Sequence, residues 1–358
     1  MELGKRKPKT GGPNGLMKIL LTADPELPVP PLLYGGIERM VDLLVTGLKA
    51  RGHTVGLVAH AESTTPADPL IPWPARRSQN LSDSVHNTLA LRSGIRQFQP
   101  DLVHSFSRLL YMLPFMRSRI PKIMSYQRPP HPRTVGWSAR WGGNSLTFTG
   151  LSEHISRMGR AAGGVWHTIY NAADVEKYTF QPIVADDAPF LFLSRIERIK
   201  GAHTAIAAAR SAGRRLLIAG NHAETGAEGH YWKEEIQPHL NHGGIEYVGP
   251  VDDVQKNKLL GQAAALLVPI EWEEPFGIVF AEALACGTPV ISCPRGALPE
   301  IIRDGVDGYL VRSVDEAVSA IQKISGVSRR TCRERAERCF SARVMVDAYE
   351  QLYKAICV

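Results

Sequence analysis

The stretch Glu271–Gly287, EWEEPFGIVFAEALACG, is the most informative in the chain. It holds two carboxylates, Glu274 and Glu282, with seven residues between them. Glu274 precedes Pro275 and is therefore biased away from helical geometry. Proline suits the first turn of a helix, so a helix is expected over 277–285. Glu282 then falls about two turns into an apolar helix, in the run GIVFAEALA, where a charge is costly to bury without a partner. The amides of Phe276, Gly277 and Ile278 are expected to be free donors at the helix N-terminus, which favours an anion or a ring of hydroxyls. A favourable contact with the helix dipole would account for Glu274. It would not account for Glu282, which lies too far from the helix end.

The surroundings of this stretch indicate the fold. Short β-rich runs alternate with amphipathic segments along the chain. KILLTA (18–23), TVGLVA (54–59), DLVHSF (101–106), KIMSY (122–126), LTFTGL (146–151) and WHTIY (166–170) form a first series. FLFLS (190–194), RLLIAG (215–220), IEYVG (245–249), ALLVPI (265–270), PVISC (289–293) and GYLV (308–311) form a second. Helices are expected between them, at 36–50, 83–98, 201–212, 253–264, 277–285, 314–324 and 328–340. Such alternation means parallel sheets with helices on both faces. Two series of about six strands mean an α/β protein with two doubly wound, Rossmann-like domains. The seam is expected in the polar stretch 171–189, which gives a first domain over 17–172 and a second over 173–340. An amphipathic helix is expected at 341–358, and residues 1–16, basic and then Gly/Pro-rich, read as a disordered arm. In such sheets ligands bind outside the carboxyl ends of the strands. The site is therefore expected in a cleft across which the two domains face each other.

Composition narrows the class. The chain has 358 residues, 44% hydrophobic and 22% charged, as in a globular protein with room for two cores. No apolar run approaches the roughly 18 to 20 residues needed to span a bilayer. Five cysteines without CxxC spacing argue against a disulfide framework and a zinc site, so a reducing cytoplasm is expected. The formal charge of +7 reads first as solvated basic faces. The functional readings are attraction to the inner face of an anionic membrane, as a peripheral contact, or to a polyanionic substrate. Nucleic acid is not an expected partner, because zinc-finger, helix-turn-helix and RNP patterns are absent.

Two further motifs carry chemistry. In PLLYGGIERMVDLL, Gly35-Gly36 opens a helix after a Pro-rich loop, where a backbone without Cβ atoms can approach a ligand closely. The segment is not a GxGxxG, and no acid follows a second strand at dinucleotide spacing, which disfavours a nicotinamide enzyme. In SRIERIKGAHTAI, Arg195 and Lys200 follow the strand FLFLS and precede Gly201. A planar fork and a point charge suit a diphosphate and could neutralise a departing nucleoside diphosphate. The bland alternative is a surface ion-pair cluster with Glu197 and Arg198. With the Glu274/Glu282 pair, these motifs suggest a pocket for a sugar nucleotide. The acid pairs 186–187 and 252–253 do not read as a metal site. Asp252-Asp253 reads as a helix start.

The three motifs together resemble the family-4 retaining glycosyltransferases of the GT-B fold. The resemblance covers most of the chain. Its most specific part runs from Glu274-Pro275-Phe276-Gly277 to Glu282-Ala283. It continues through Gly287-Thr288-Pro289-Val290, Pro299-Glu300-Ile301-Ile302 and Asp304-Gly305-Val306-Asp307-Gly308. It implies that Arg195 and Lys200 grip a diphosphate, that Gly35 and Gly36 approach it, and that Glu282 holds a ribose. Glu274 and the amides of Phe276, Gly277 and Ile278 would hold the transferred sugar. It further implies a last helix that crosses back onto the first domain, and metal-independent, front-face transfer of a hexosyl group. The donor would be a co-substrate, a UDP- or GDP-sugar, with no separate cofactor, and the acceptor a sugar, a lipid-linked or a small molecule. The chain departs from the family at Gln127, where a histidine is common close to the transferred sugar. Glutamine hydrogen-bonds but cannot carry a proton, so His131 and His104 are the alternative candidates there. The other readings of the same grip are a sugar-nucleotide epimerase, a phosphorylase, or a binding protein without turnover.

Overall fold

A computed structural model describes residues 15–32, 35–77 and 80–357. All but the last two residues of the expected arm lie outside the described residues. The chain forms two compact units. One comprises residues up to Asn171 together with Ala342–Val358, and the other is Ala172–Ser341.

The first unit is built on a seven-stranded sheet: β1 (Lys18–Thr22), β2 (Thr54–Ala59), β3 (Leu70–Pro72), β4 (Leu102–Ser105), β5 (Lys122–Tyr126), β6 (Leu146–Gly150) and β7 (Val165–Thr168). Their order is 3-2-1-4-5-6-7, and every pair is parallel. The second unit has β8 (Phe190–Leu193), β9 (Leu216–Ala219), β10 (Ile245–Gly249), β11 (Leu266–Leu267), β12 (Val290–Ser292) and β13 (Gly308–Leu310), ordered 10-9-8-11-12-13 and again parallel. The second order repeats the 3-2-1-4-5-6 pattern of the first, which is that of a dinucleotide-binding sheet. Central strands such as β1 and β8 are buried along nearly their whole length, because helices cover both faces of a parallel sheet.

The expected helices form within a residue or two of their predicted limits. Side-chain caps begin several of them: Asn80 before Leu81–Phe98, Asp252 before Asp253–Gln262 and Ser313 before Val314–Lys323. Asp252 and Gln255 complete a capping box there. The structure adds elements that the sequence reading lacks. β3 is a three-residue edge strand ending at Pro72, where a missing N–H is tolerated. Pro132–Gly142 and Glu153–Ala162 are helices beyond those named from the sequence.

The helix Ala342–Ile356 belongs to the first unit and packs on Gly36–Ala50. Gly47 permits the contact, since a Cβ there would lie 2.6 Å from Val346 Cγ2. Arg51 closes the join by donating to Asp347 at 2.5 Å and Glu350 at 2.6 Å. Among the described residues no helix is long and apolar enough to cross a membrane.

Candidate active site

In an open parallel sheet the two loops flanking the point where strand order reverses diverge, and a ligand fits between them. In the second unit that point lies between β8 and β11. The loop after β8 carries Arg195 and Lys200, and the loop after β11 carries Trp272 and Glu274. The loops meet at Gly201, which has φ 77° and whose Cβ would lie 2.1 Å from the Pro269 carbonyl oxygen. Only glycine fits both that conformation and that contact. Lys200 is thereby laid across the β11 loop. Its Nζ donates to Glu274 Oε2 at 2.7 Å and sits 4.7 Å above the Trp272 ring. Trp272 Nε1 donates to the same carboxylate oxygen at 3.0 Å. Both charged residues are buried, at 9% and 8% relative exposure, so each depends on the other for compensation.

Glu274 is also held through its backbone. Ala297 N donates to Glu274 O at 2.8 Å, and Gly296 N donates to Glu273 Oε2 at 2.7 Å. Gly296, at φ 60°, comes so close that a Cβ would lie 2.2 Å from Glu274 O. The loop after β12 thus fixes where the carboxylate points.

The helix after Glu274 is Ile278–Ala285, capped by Gly277 at φ 81°. Of its first-turn amides, that of Phe280 donates to Gly277 O at 3.1 Å, while the earlier ones have no acceptor within the helix. Two details of the sequence reading are corrected here. Pro275 lies before the helix rather than in its first turn, and Glu282 is the fifth helical residue, little more than one turn in. Phe276 is buried edge-on against Phe340, with ring centroids 5.7 Å apart. Its side chain belongs to the core.

The buried charge of Glu282 has protein partners. Tyr178 OH donates to its Oε1 at 2.6 Å and Lys256 Nζ at 2.8 Å. Lys256 also reaches Asp253 at 3.2 Å. Arg195 pairs with Glu197 at 2.7 Å on the solvent side. The surface ion pair weighed for this segment therefore exists for Arg195, while Lys200 leaves it for Glu274.

In the first unit the corresponding reversal lies between β1 and β4. Gly35 caps the helix Gly36–Ala50. A Cβ at Gly35 would meet Pro31 Cβ at 2.7 Å and Glu38 Oε2 at 2.8 Å, so the glycine is required by close approach. Asp24, just beyond β1, was not among the expected site residues. Its Oδ1 is buried without a hydrogen-bond partner. Burial, and then Glu26, push its carboxyl up to about 6 against the pull of Arg128 and Arg108. Glu38 is likewise raised, chiefly by burial. A signal for Asp24 was present in the sequence: an acid followed by Pro25 at the carboxyl end of the first strand.

Gln127, after β5, accepts from Asn171 Nδ2 at 2.8 Å through its side-chain oxygen. His131 is exposed and precedes the helix Pro132–Gly142. His104 is a correction to the sequence reading. It is fully buried, with Nδ1 2.6 Å from Tyr353 OH and Nε2 2.6 Å from Ser125 Oγ. Burial pulls its imidazole down to about 3. Both nitrogens are occupied within the core, so His104 ties β4 to the helix Ala342–Ile356 and is not placed to exchange protons with a substrate. Trp272, Tyr178, Lys256 and Gly296 were also missing from the reading, because they act through contacts made only on folding.

Two units of Rossmann order are the architecture of the GT-B glycosyltransferases. Residues 34–177 match the family described as Glycosyltransferase Family 4, and residues 175–338 match Glycosyl transferases group 1. The two matches together run from residue 34 to residue 338 and support a family-4 glycosyltransferase of the GT-B fold. It is 25% identical to a glycogen synthase of Mycobacterium tuberculosis over 91% of this chain and 92% of that one. Among solved structures it resembles AviGT4, a glycosyltransferase involved in avilamycin A biosynthesis, with TM-score 0.69 and 24% identity over 95% of this chain and 98% of the other. It also resembles Anabaena HepE in complex with UDP-glucose, with TM-score 0.73 and 16% identity over 95% and 100%.

Proposed function

We propose that this glycosyltransferase moves a hexosyl group from a UDP- or GDP-sugar to an acceptor hydroxyl, with retention of anomeric configuration and without a divalent ion. The observation that carries the reading is the buried Lys200–Glu274 pair, 2.7 Å apart, at the carboxyl ends of β8 and β11. A bound donor would take up both partners. Lys200 turns from the carboxylate to the diphosphate, joined by Arg195, and Glu274 accepts from hydroxyls of the sugar. The amides of Phe276, Gly277 and Ile278 add donors at the helix start. Glu282, held by Lys256 and Tyr178, offers its second oxygen to the ribose diol. Gly35 and Gly36 let the backbone come near the diphosphate, and Gln127 binds a hydroxyl without moving a proton.

In this reading the bond between the anomeric carbon and the diphosphate oxygen breaks as the acceptor oxygen bonds to the same face. The acceptor proton passes to the departing diphosphate, whose charge Lys200 and Arg195 offset. Glu274 is a binder of hydroxyls rather than a covalent nucleophile. The relative solved with UDP-glucose favours a nucleoside diphosphate donor.

The test begins with a thermal-shift screen of nucleoside diphosphates and their sugars, since a ligand that binds only the native state raises Tm by mass action. Turnover of the preferred donor is then followed by NMR of the product anomer, with and without a chelator. Inversion at the anomeric centre would overturn the retaining mechanism. Activity lost on chelation and restored by a divalent ion would overturn metal independence.

A further inference from the structure

The helix Pro132–Gly142 presents a feature that donor chemistry leaves unused. Arg133, Trp137, Arg140 and Trp141 recur at helical spacing and are all exposed, while Val135, Ser138 and Gly142 take the buried side. The two indoles are 40% and 43% exposed, with ring centroids 4.4 Å apart and tilted by 35°. Arg117, from outside the helix, lies 5.0 Å over the Trp141 ring. The charge here is one-sided. The helix Pro132–Gly142 holds two arginines, Arg133 and Arg140, and no acid.

We propose that this helix face docks on an anionic lipid bilayer, with the two tryptophans at headgroup depth and the arginines on lipid phosphates. Paired indoles are large apolar bodies with one polar N–H each, which suits the boundary between acyl chains and water. Guanidinium groups grip phosphate in a fork while their stems lie along apolar surface. A helix with aromatics and arginines on one face and no acid lies flat in such an interface. Single-stranded nucleic acid is the less suitable occupant, because rings 4.4 Å apart leave no space for a base between them. The proposal stands on this surface alone and does not rest on the donor reading.

The experiment is co-sedimentation of the whole chain with vesicles of phosphatidylcholine alone or mixed with phosphatidylglycerol. Preference for the anionic vesicles by about tenfold or more, weakening as salt rises, is the expected result. Trp137→Ala/Trp141→Ala and, separately, Arg133→Glu/Arg140→Glu should each lower that partition about tenfold, with thermal stability and donor binding unchanged. If the tryptophan variant unfolds, the arginine variant decides. Absence of vesicle binding, equal binding to both vesicle types, wild-type partition in the folded variants, or a single-stranded oligonucleotide bound through these residues in preference to vesicles would each overturn it.

Discussion

Tyr178 OH and Lys256 Nζ converge on one oxygen of Glu282, at 2.6 and 2.8 Å, so the carboxylate is oriented before any ligand arrives. Lys256→Met would leave a buried carboxylate without its counter-charge. A loss of about 3 kcal/mol in stability is expected, read as a lower Tm, together with weaker donor binding. Tyr178→Phe should weaken donor binding with a smaller effect on Tm. If Lys256→Met melts and binds like the wild type, the pair does not hold the site.

Lys200 and Glu274 should behave as one unit. Lys200→Met and Glu274→Gln are each expected to lower kcat/KM by about a hundredfold. Because each removes the other's partner, the double variant should fall well short of the product of the two losses. Steady-state kinetics with the preferred donor decides the point, and strict additivity would argue against the coupling.

Gly296→Ala tests how Glu274 is positioned. The added methyl would enter a 2.2 Å contact with the Glu274 backbone, at a φ that L-residues avoid. The expected result is a loss of at least about 2 kcal/mol in stability and a disproportionate fall in turnover. Gly326→Ala, which meets open space, is the matched control and should leave turnover unchanged.

His104 gives a pH dependence with a definite sign. Its folded pKa, about 3, lies below the ordinary imidazole value of 6.5. The unfolded chain therefore binds more protons between those values, and stability falls as pH drops below about 6.5. From pH 7 to pH 5 the loss attributable to His104 is about 2 kcal/mol. His104→Gln should lower stability at pH 7 and flatten this slope, with kcat of the folded enzyme retained. A proton-transfer role would instead abolish turnover.

Asp24 has the opposite sign. Its raised carboxyl, at about 6 against 3.8, makes the folded state the better proton binder in that window. Stability should decline as pH climbs through it. Asp24→Asn is expected to raise Tm more at pH 8 than at pH 5 in paired melting curves.

Much of the fold was legible because strands buried on both faces must be mostly apolar, as Ile19–Leu21 and Phe190–Leu193 are. The exceptions have local causes. ALLVPI reads as six strand residues, but only Leu266 and Leu267 join the ladder. Pro269 has no N–H to give, and the chain turns there towards Gly201. The helix Pro132–Gly142 was hidden by its proline-rich approach and by arginines and tryptophans on its wet side. In the site, Lys200 and Glu274 could be found because both follow strands closely. Tyr178 and Lys256 could not, since they reach Glu282 from 104 and 26 residues away with no local pattern to mark them. His104 was misjudged for the same reason, because its burial depends on Tyr353, 249 residues later.

The return of Ala342–Ile356 to the first unit has a consequence during synthesis. The earlier lobe lacks the seat for Arg51, His104 and Ser125 until that helix has left the ribosome, whereas the later lobe has all its strands before then. At about 5–20 residues per second, the nascent lobe waits roughly ten seconds or more with an open flank, so of the two lobes the one translated earlier is completed later.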